Sequence, residues 1–147
     1  GLLDKGLEQE LDHELGVIGE TGRQVLLMGH FPYSYPGQHP GKWHHRLLRE
    51  EALAGLIARH QPAAYLHGHK HVRWCLRDAR TPQTLCLNCG PAGMSSSCPD
   101  SHAGWLTFEL SQGGALTGIT KVSLLPEGDL QREAVTIPPQ IPPQIPG

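Results

Sequence analysis

The sequence predicts an α/β fold whose second half turns to antiparallel strands. Three observations carry this. Leucines recur at four-residue spacing near the start, at Leu3, Leu7, Leu11 and Leu15. Two short apolar runs, Val25–Met28 and Ala63–Leu66, are separated by a helical pattern and lead to Gly-His pairs, the first directly and the second past His67. After residue 72 helical periodicity stops and apolar and polar residues alternate, as in Leu106, Thr107, Phe108, Glu109 and Leu110.

The leucine row, with acids and Lys5 between its members, predicts a helix over 2–15 with one apolar stripe. Gly16 and Gly19 stand where such a helix should stop. Val25-Leu26-Leu27-Met28 is short and wholly apolar, which predicts a buried parallel strand covered by helices on both faces. Pro32, Pro36, Gly37, Pro40 and Gly41 then mark residues 32–42 as a loop. A second helix is expected from about Trp43 to Arg59, with Leu48, Ala52 and Leu56 in one row and Leu53 and Ile57 beside it. Pro62 ends it because proline cannot continue the hydrogen-bond ladder. Strands are expected at 73–77, 85–89, 105–110 and 116–125, forming an antiparallel sheet that flanks the α/β half, with Gln112-Gly113-Gly114 as a hairpin turn. The chain closes on a repeated Ile-Pro-Pro-Gln, so residues 1–125 read as the folded unit and 126–147 as a Pro-rich extended tail.

Composition narrows the function. The 147 residues carry 12 Lys and Arg against 14 Asp and Glu, a net charge of −2, which lacks the basic face that nucleic-acid binding requires. No apolar run approaches the ~20 residues that cross a bilayer, and none has the flanks of a signal peptide. With 10 His, imidazole is the over-represented chemistry. His69 and His71 are two apart, so on a helix they would point to opposite faces, whereas in a turn after Gly68 they can converge, the glycine allowing a sharp bend. His30 arrives from the end of the neighbouring apolar run. Three imidazoles at two adjacent strand ends make a partial shell for a divalent transition metal.

These residues carry a resemblance. Gly68-His69-Lys70-His71 after a short strand resembles the G-H-x-H signature of the calcineurin-like metallophosphoesterases. The run Val25–Pro32, ending in Gly-His-x-Pro one helix earlier, resembles the preceding metal-histidine segment of that family, and Asn88-Cys89-Gly90-Pro91-Ala92 resembles the Asn-x-Gly turn that follows. The resemblance spans about residues 7–125. It implies a four-layer α/β/β/α sandwich and hydrolysis of a phosphate mono- or diester, with two divalent ions (Mn, Fe, Zn or Co) activating water for in-line attack on phosphorus. His30 and His69 would bind one ion and His71 the other. His39, nine residues after His30, is placed like the substrate-contacting histidine of the purple acid phosphatase branch. Residues 33–45 would wall the pocket, where Tyr33, Tyr35 and Trp43 either stack on substrate or pack the loop.

The upstream motifs of the family, D-x-H, G-D-x-x-D and G-N-H-D or G-N-H-E, do not occur here in that order. Asp100-Ser101-His102 matches the first by letter but follows the G-H-x-H segment without an apolar strand before it. Imidazoles alone leave two divalent charges uncompensated. The chain, which begins with Gly and not Met, therefore reads as the C-terminal half of such a domain. It is expected to be inactive, or to bind one metal weakly, without the N-terminal half, and to expose a sheet edge where that half belongs.

The competing reading is a non-enzymatic zinc or interaction module built on Cys75, Cys86, Cys89 and Cys98. Cys86 and Cys89 form a C-x-x-C, but the other two are single, so small buried hydrophobes are expected instead. Free cysteines without a signal segment lean toward a reducing, cytoplasmic compartment.

Overall fold

Helix α1 spans Lys5–Glu20 in the computed structural model, which describes residues 1–37, 46–93 and 102–142. Asp4 caps it, its carboxylate accepting the Leu7 N–H at 3.0 Å. The glycines at 16 and 19 do not stop the helix. It runs on to Thr21, whose hydroxyl donates to the Ile18 carbonyl at 2.6 Å, and Gly22 takes the left-handed conformation beyond it.

Strand β1 is Leu26–Met28, and helix α2 is Glu50–His60. Among the described residues α2 begins later than its apolar rows suggested, because Leu48 is held in a parallel bridge to Leu2 and Arg49 is left-handed at φ 65°. Glu50 and Glu51 in its first turn and Arg59 and His60 in its last complement the helix dipole. The two helices are tied by Arg49 to Glu8 and by Arg59 and His60 to Asp12, both at 2.6 Å. Hydrogen bonds from His60 and Arg59 hold the Asp12 carboxyl below its ordinary range. Gly55, exposed in the middle of α2, has nothing within 4 Å of where a Cβ would stand. Gly55→Ala is expected to stabilise the chain by about 0.5–1 kcal/mol, read as a higher urea midpoint, since only backbone entropy changes there.

Four strands make the first sheet: β1, β2 (Ala64–His67), β3 (Arg73–Arg77) and β4 (Leu85–Cys89), in the order β1-β2-β4-β3. β1 and β4 are parallel to β2, and β3 is antiparallel to β4. So β3 and β4 belong to the α/β half and not to the flanking sheet expected from their position after residue 72. β1 is not buried either. It is an edge strand with Met28 76% exposed.

The second sheet is a meander of β5 (Gly104–Leu110), β6 (Leu116–Leu124) and β7 (Leu130–Ala134). The expected turn joins β5 to β6: Gly114 is left-handed at φ 80° and its N–H donates to the Ser111 carbonyl at 2.9 Å. β7 falls within the stretch expected to be extended tail. All five of its residues are exposed and it has no apolar alternation, so its pairing with β6 is what makes it a strand.

Alternation along the first sheet builds two cores. Tyr65 and Cys86 face α2, packing with Leu53, Leu56 and Ile57. Ala64, Leu66, Leu85 and Leu87 face the other way and meet Ile119, Leu106 and Phe108 of the second sheet. Helices cover one face of the first sheet and a sheet covers the other, instead of helices on both. The result is a mixed α/β arrangement, layered helix, sheet, sheet among the described residues. No helix of these residues is long and apolar enough to cross a membrane.

Candidate functional site

Parallel pairing brings His30 and His69 together. The ladder between β1 and β2 continues past Met28, with the Gly29 N–H donating to the Leu66 carbonyl at 2.9 Å and the Gly68 N–H to the His30 carbonyl at 3.2 Å. Both carboxyl ends are thus held side by side, the end of an open α/β sheet where ligands bind. His30 Nε2 stands 3.2 Å from His69 Nδ1. Two ring nitrogens bound to one ion at about 2.0–2.1 Å sit about 2.8–3.0 Å apart in octahedral and about 3.3–3.4 Å apart in tetrahedral geometry. The two rings stand at hydrogen-bonding distance, which is also close to the spacing of two neighbouring positions in a metal shell.

The sharp turn falls on His69, at φ 65°, and not on Gly68, as the sequence suggested; Gly68 lacks a positive φ, and a Cβ there would meet nothing within 4 Å. A non-glycine residue in this conformation costs about 1–3 kcal/mol and persists where its surroundings dictate it, often at functional sites. Those surroundings are visible. The Gly68 carbonyl accepts from the Lys70 N–H at 2.8 Å and from Asn88 Nδ2 at 3.1 Å. Phe31 lies against both imidazoles, its ring centre 4.3 Å from that of His69 and 4.8 Å, edge-on, from that of His30. The Tyr65 hydroxyl donates to the Phe31 carbonyl at 2.7 Å and passes so close to Gly29 that a Cβ there would stand 2.3 Å from its oxygen. Gly29 thus gives Tyr65 access to the His30 loop.

His71 is exposed in the turn before β3. Among the described residues no three His, Cys, Asp or Glu side chains gather as a metal site, so His71 does not complete the His30–His69 pair here. His39 lies outside the described residues, as do Trp43, Cys98 and Asp100. His102 offers its carbonyl to Arg73 at 2.6 Å. Of the aromatic residues, Tyr33 packs the core, its hydroxyl 2.6 Å from Thr81 Oγ1, and Tyr35 lies half-buried against Trp74 with the Lys70 ammonium 5.8 Å above its ring.

Among the described residues the cysteines do not gather as a metal site. Cys86 is buried in the helix-side core, whereas Cys75 packs toward the second sheet. Burial pushes both thiols up, Cys75 to about 11, which keeps them protonated and poor ligands. His67 sits in the helix-side core, stacked on Tyr65 at 5.4 Å and within 5.4 Å of Trp74, with Nε2 3.3 Å from Cys86 Sγ. Burial drives its ring down to about 4.

No family model and no curated protein matches the chain. Solved structures do match. GAP50, the anchor in the inner membrane complex of Plasmodium, superposes with a TM-score of 0.60 at 18% identity, over 92% of this chain and 44% of that one. Vps29 complexed with Zn2+ from Entamoeba histolytica gives a TM-score of 0.41 at 22% identity, over 58% of this chain and 45% of that one. The chain spans less than half the length of each. At these identities the likeness to GAP50 is one of fold, so that nearly all of this chain follows the path of a part of a larger α/β protein.

Proposed function

We propose that the chain supplies the histidine half of a calcineurin-like metallophosphoesterase domain, whose four layers are completed by an N-terminal half and which hydrolyses a phosphate mono- or diester. The observation that carries this reading is the His30–His69 pair, two imidazoles 3.2 Å apart on adjacent parallel strand ends. His30 and His69 would hold one divalent ion (Mn, Fe, Zn or Co), His71 would serve a second, and His39 would meet the substrate phosphate. Bound ions would supply Lewis-acid polarisation of the phosphoryl oxygens and a water of lowered pKa. Neutral imidazoles cannot balance two divalent charges, so the carboxylate ligands would come from the N-terminal half.

The competing reading is a non-enzymatic module on the same fold. One experiment separates the two: Zn2+ and Co2+ binding to the chain, with hydrolysis of an aryl phosphate and a bis-aryl phosphate by the polypeptide containing both halves. His69→Ala is expected to weaken metal binding by more than about 100-fold, beyond the 10–100-fold that outer-shell changes cost. Cys86→Ala should leave it unchanged. Metal binding indifferent to His69→Ala would overturn the phosphoesterase reading, as would two bound metals without hydrolysis.

A further inference from the structure

We infer that Asn88 is the residue that positions His69 against His30, by clamping the carbonyl of Gly68 from the neighbouring strand. The inference rests on the metal reading of the two histidines for its consequence, but not for its geometry. Asn88 lies in β4, opposite His67 of β2, and is fully buried. A buried carboxamide must place both its donor and its acceptor, and Asn88 places them on two different turns. Its Oδ1 accepts the Gly90 N–H at 3.0 Å, closing the turn at the end of β4 where Gly90 is left-handed at φ 72°. Its Nδ2 reaches across to β2 and donates to the Gly68 carbonyl at 3.1 Å.

That carbonyl belongs to the peptide unit leading into His69. The Lys70 N–H also donates to it at 2.8 Å, and His67 Nδ1 lies 3.5 Å from it. With the peptide plane held, His69 is carried into its left-handed conformation and its ring is delivered to His30. His30 is tied to the same glycine, its carbonyl accepting the Gly68 N–H at 3.2 Å, and its loop is held besides by the Tyr65 hydroxyl on the Phe31 carbonyl. Asn88 thus acts on His69 through the backbone, a positioning residue and not a ligand. Outer-shell groups of this sort orient metal-binding imidazoles and tune affinity.

The test uses Asn88→Asp in the full chain. Aspartate keeps the size and the acceptor for the Gly90 N–H but sets an oxygen where the donor to Gly68 stood. Histidine-ring 15N–1H correlations of the metal-free protein read the geometry directly. The His69 and His30 rings are expected to shift, while those of His13 and His60, on the two helices, stay in place. Zn2+ affinity is expected to fall 10–100-fold. Unchanged His69 and His30 signals would overturn the inference, even with a lowered melting temperature, because a purely structural role would give that result. If His69→Ala leaves Zn2+ binding untouched, the metal reading fails, and the ring signals still decide the positioning role. Should Asn88→Asp not fold, the unmutated protein answers the same question. The Asn88 side-chain amide protons should be protected from exchange and show contacts to Gly68, and a freely exchanging amide would overturn the clamp.

Discussion

Replacing Gly104 with alanine is expected to destabilise the chain by about 3 kcal/mol or more, the sum of a left-side backbone conformation and a steric clash. Gly104 opens β5 at φ 155° and is buried against β6. A Cβ there would stand 2.0 Å from the Val122 carbonyl oxygen and 3.0 Å from Ser123 Cα, both backbone atoms of the paired strand. No rotamer change relieves such a contact, so β5 must move. The same Cβ would lie 2.9 Å from Nη2 of Arg73. That side chain, 9% exposed, donates to the His102 carbonyl at 2.6 Å and to the Pro91 carbonyl at 3.4 Å, tying the start of β3 to the segment that enters the second sheet. Gly90 gives it room in the same way, since a Cβ there would be 2.6 Å from Arg73 Cγ. The damage would therefore reach the turn that carries His69 and His71, which runs straight into Arg73. Urea unfolding measures the effect, with Gly113→Ala as reference. The nearest atom to a Cβ at Gly113 is Ser111 Oγ at 3.8 Å, and its change should stay within about 0.5 kcal/mol. Equal midpoints for the two variants would show that the sheets are not locked as described.

What the sequence made legible were features written in local spacing. The leucine row marked α1, and the apolar runs before Gly29-His30 and Gly68-His69 marked the two strand ends that meet. Long-range pairing was not legible. Nothing in Arg73–Arg77 or Leu85–Cys89 says which sheet they join, because neither segment carries a local pattern that names its partner strand. β7 was invisible for the opposite reason. Leu-Gln-Arg-Glu-Ala has no apolar face to bury, and its strand state comes from the ladder to β6, with Lys121 and Glu133 paired at 3.4 Å across it. α1 runs on past Leu15 through two glycines that cost about 1 kcal/mol each, and the Thr21 hydroxyl closes its end on the Ile18 carbonyl. At the site, the two histidines could be read from their glycines, yet the clamp could not. Asn88 and Gly68 are 20 residues apart, and their hydrogen bond exists only once β2 and β4 lie parallel.

Acid is expected to destabilise the metal-free chain through His67, over a window set by its two pKa values. The ring is 3% exposed, and burial, partly offset by the Gly68 carbonyl, lowers it to about 4 from an ordinary value near 6.5. The groups packed on it are Tyr65 from its own strand, Trp74 from β3 and Cys86 from β4. Burial pushes the Tyr65 hydroxyl and the Cys86 thiol upward, so both stay neutral and neither can balance an imidazolium. With Nδ1 turned to the Gly68 carbonyl, Nε2 accepts from the Cys86 thiol; a proton on Nε2 would reverse that contact onto the weakly accepting sulfur. Above pH ~6.5 the ring is neutral folded and unfolded and contributes nothing to the pH dependence. Between ~6.5 and 4 only the unfolded chain takes up the proton, so stability falls by about 1.4 kcal/mol per pH unit. Below 4 both states are charged and the loss levels off at about 3 kcal/mol. His67→Phe, which fills the same aromatic slot without a titrating nitrogen, should flatten urea midpoints between pH 6.5 and 4. Asp78 would still act below that range: burial alone would raise its carboxyl, but hydrogen bonds from Arg80 and Ser34 bring it down to about 2. A variant that keeps the slope between 6.5 and 4 would place the acid-sensitive group elsewhere.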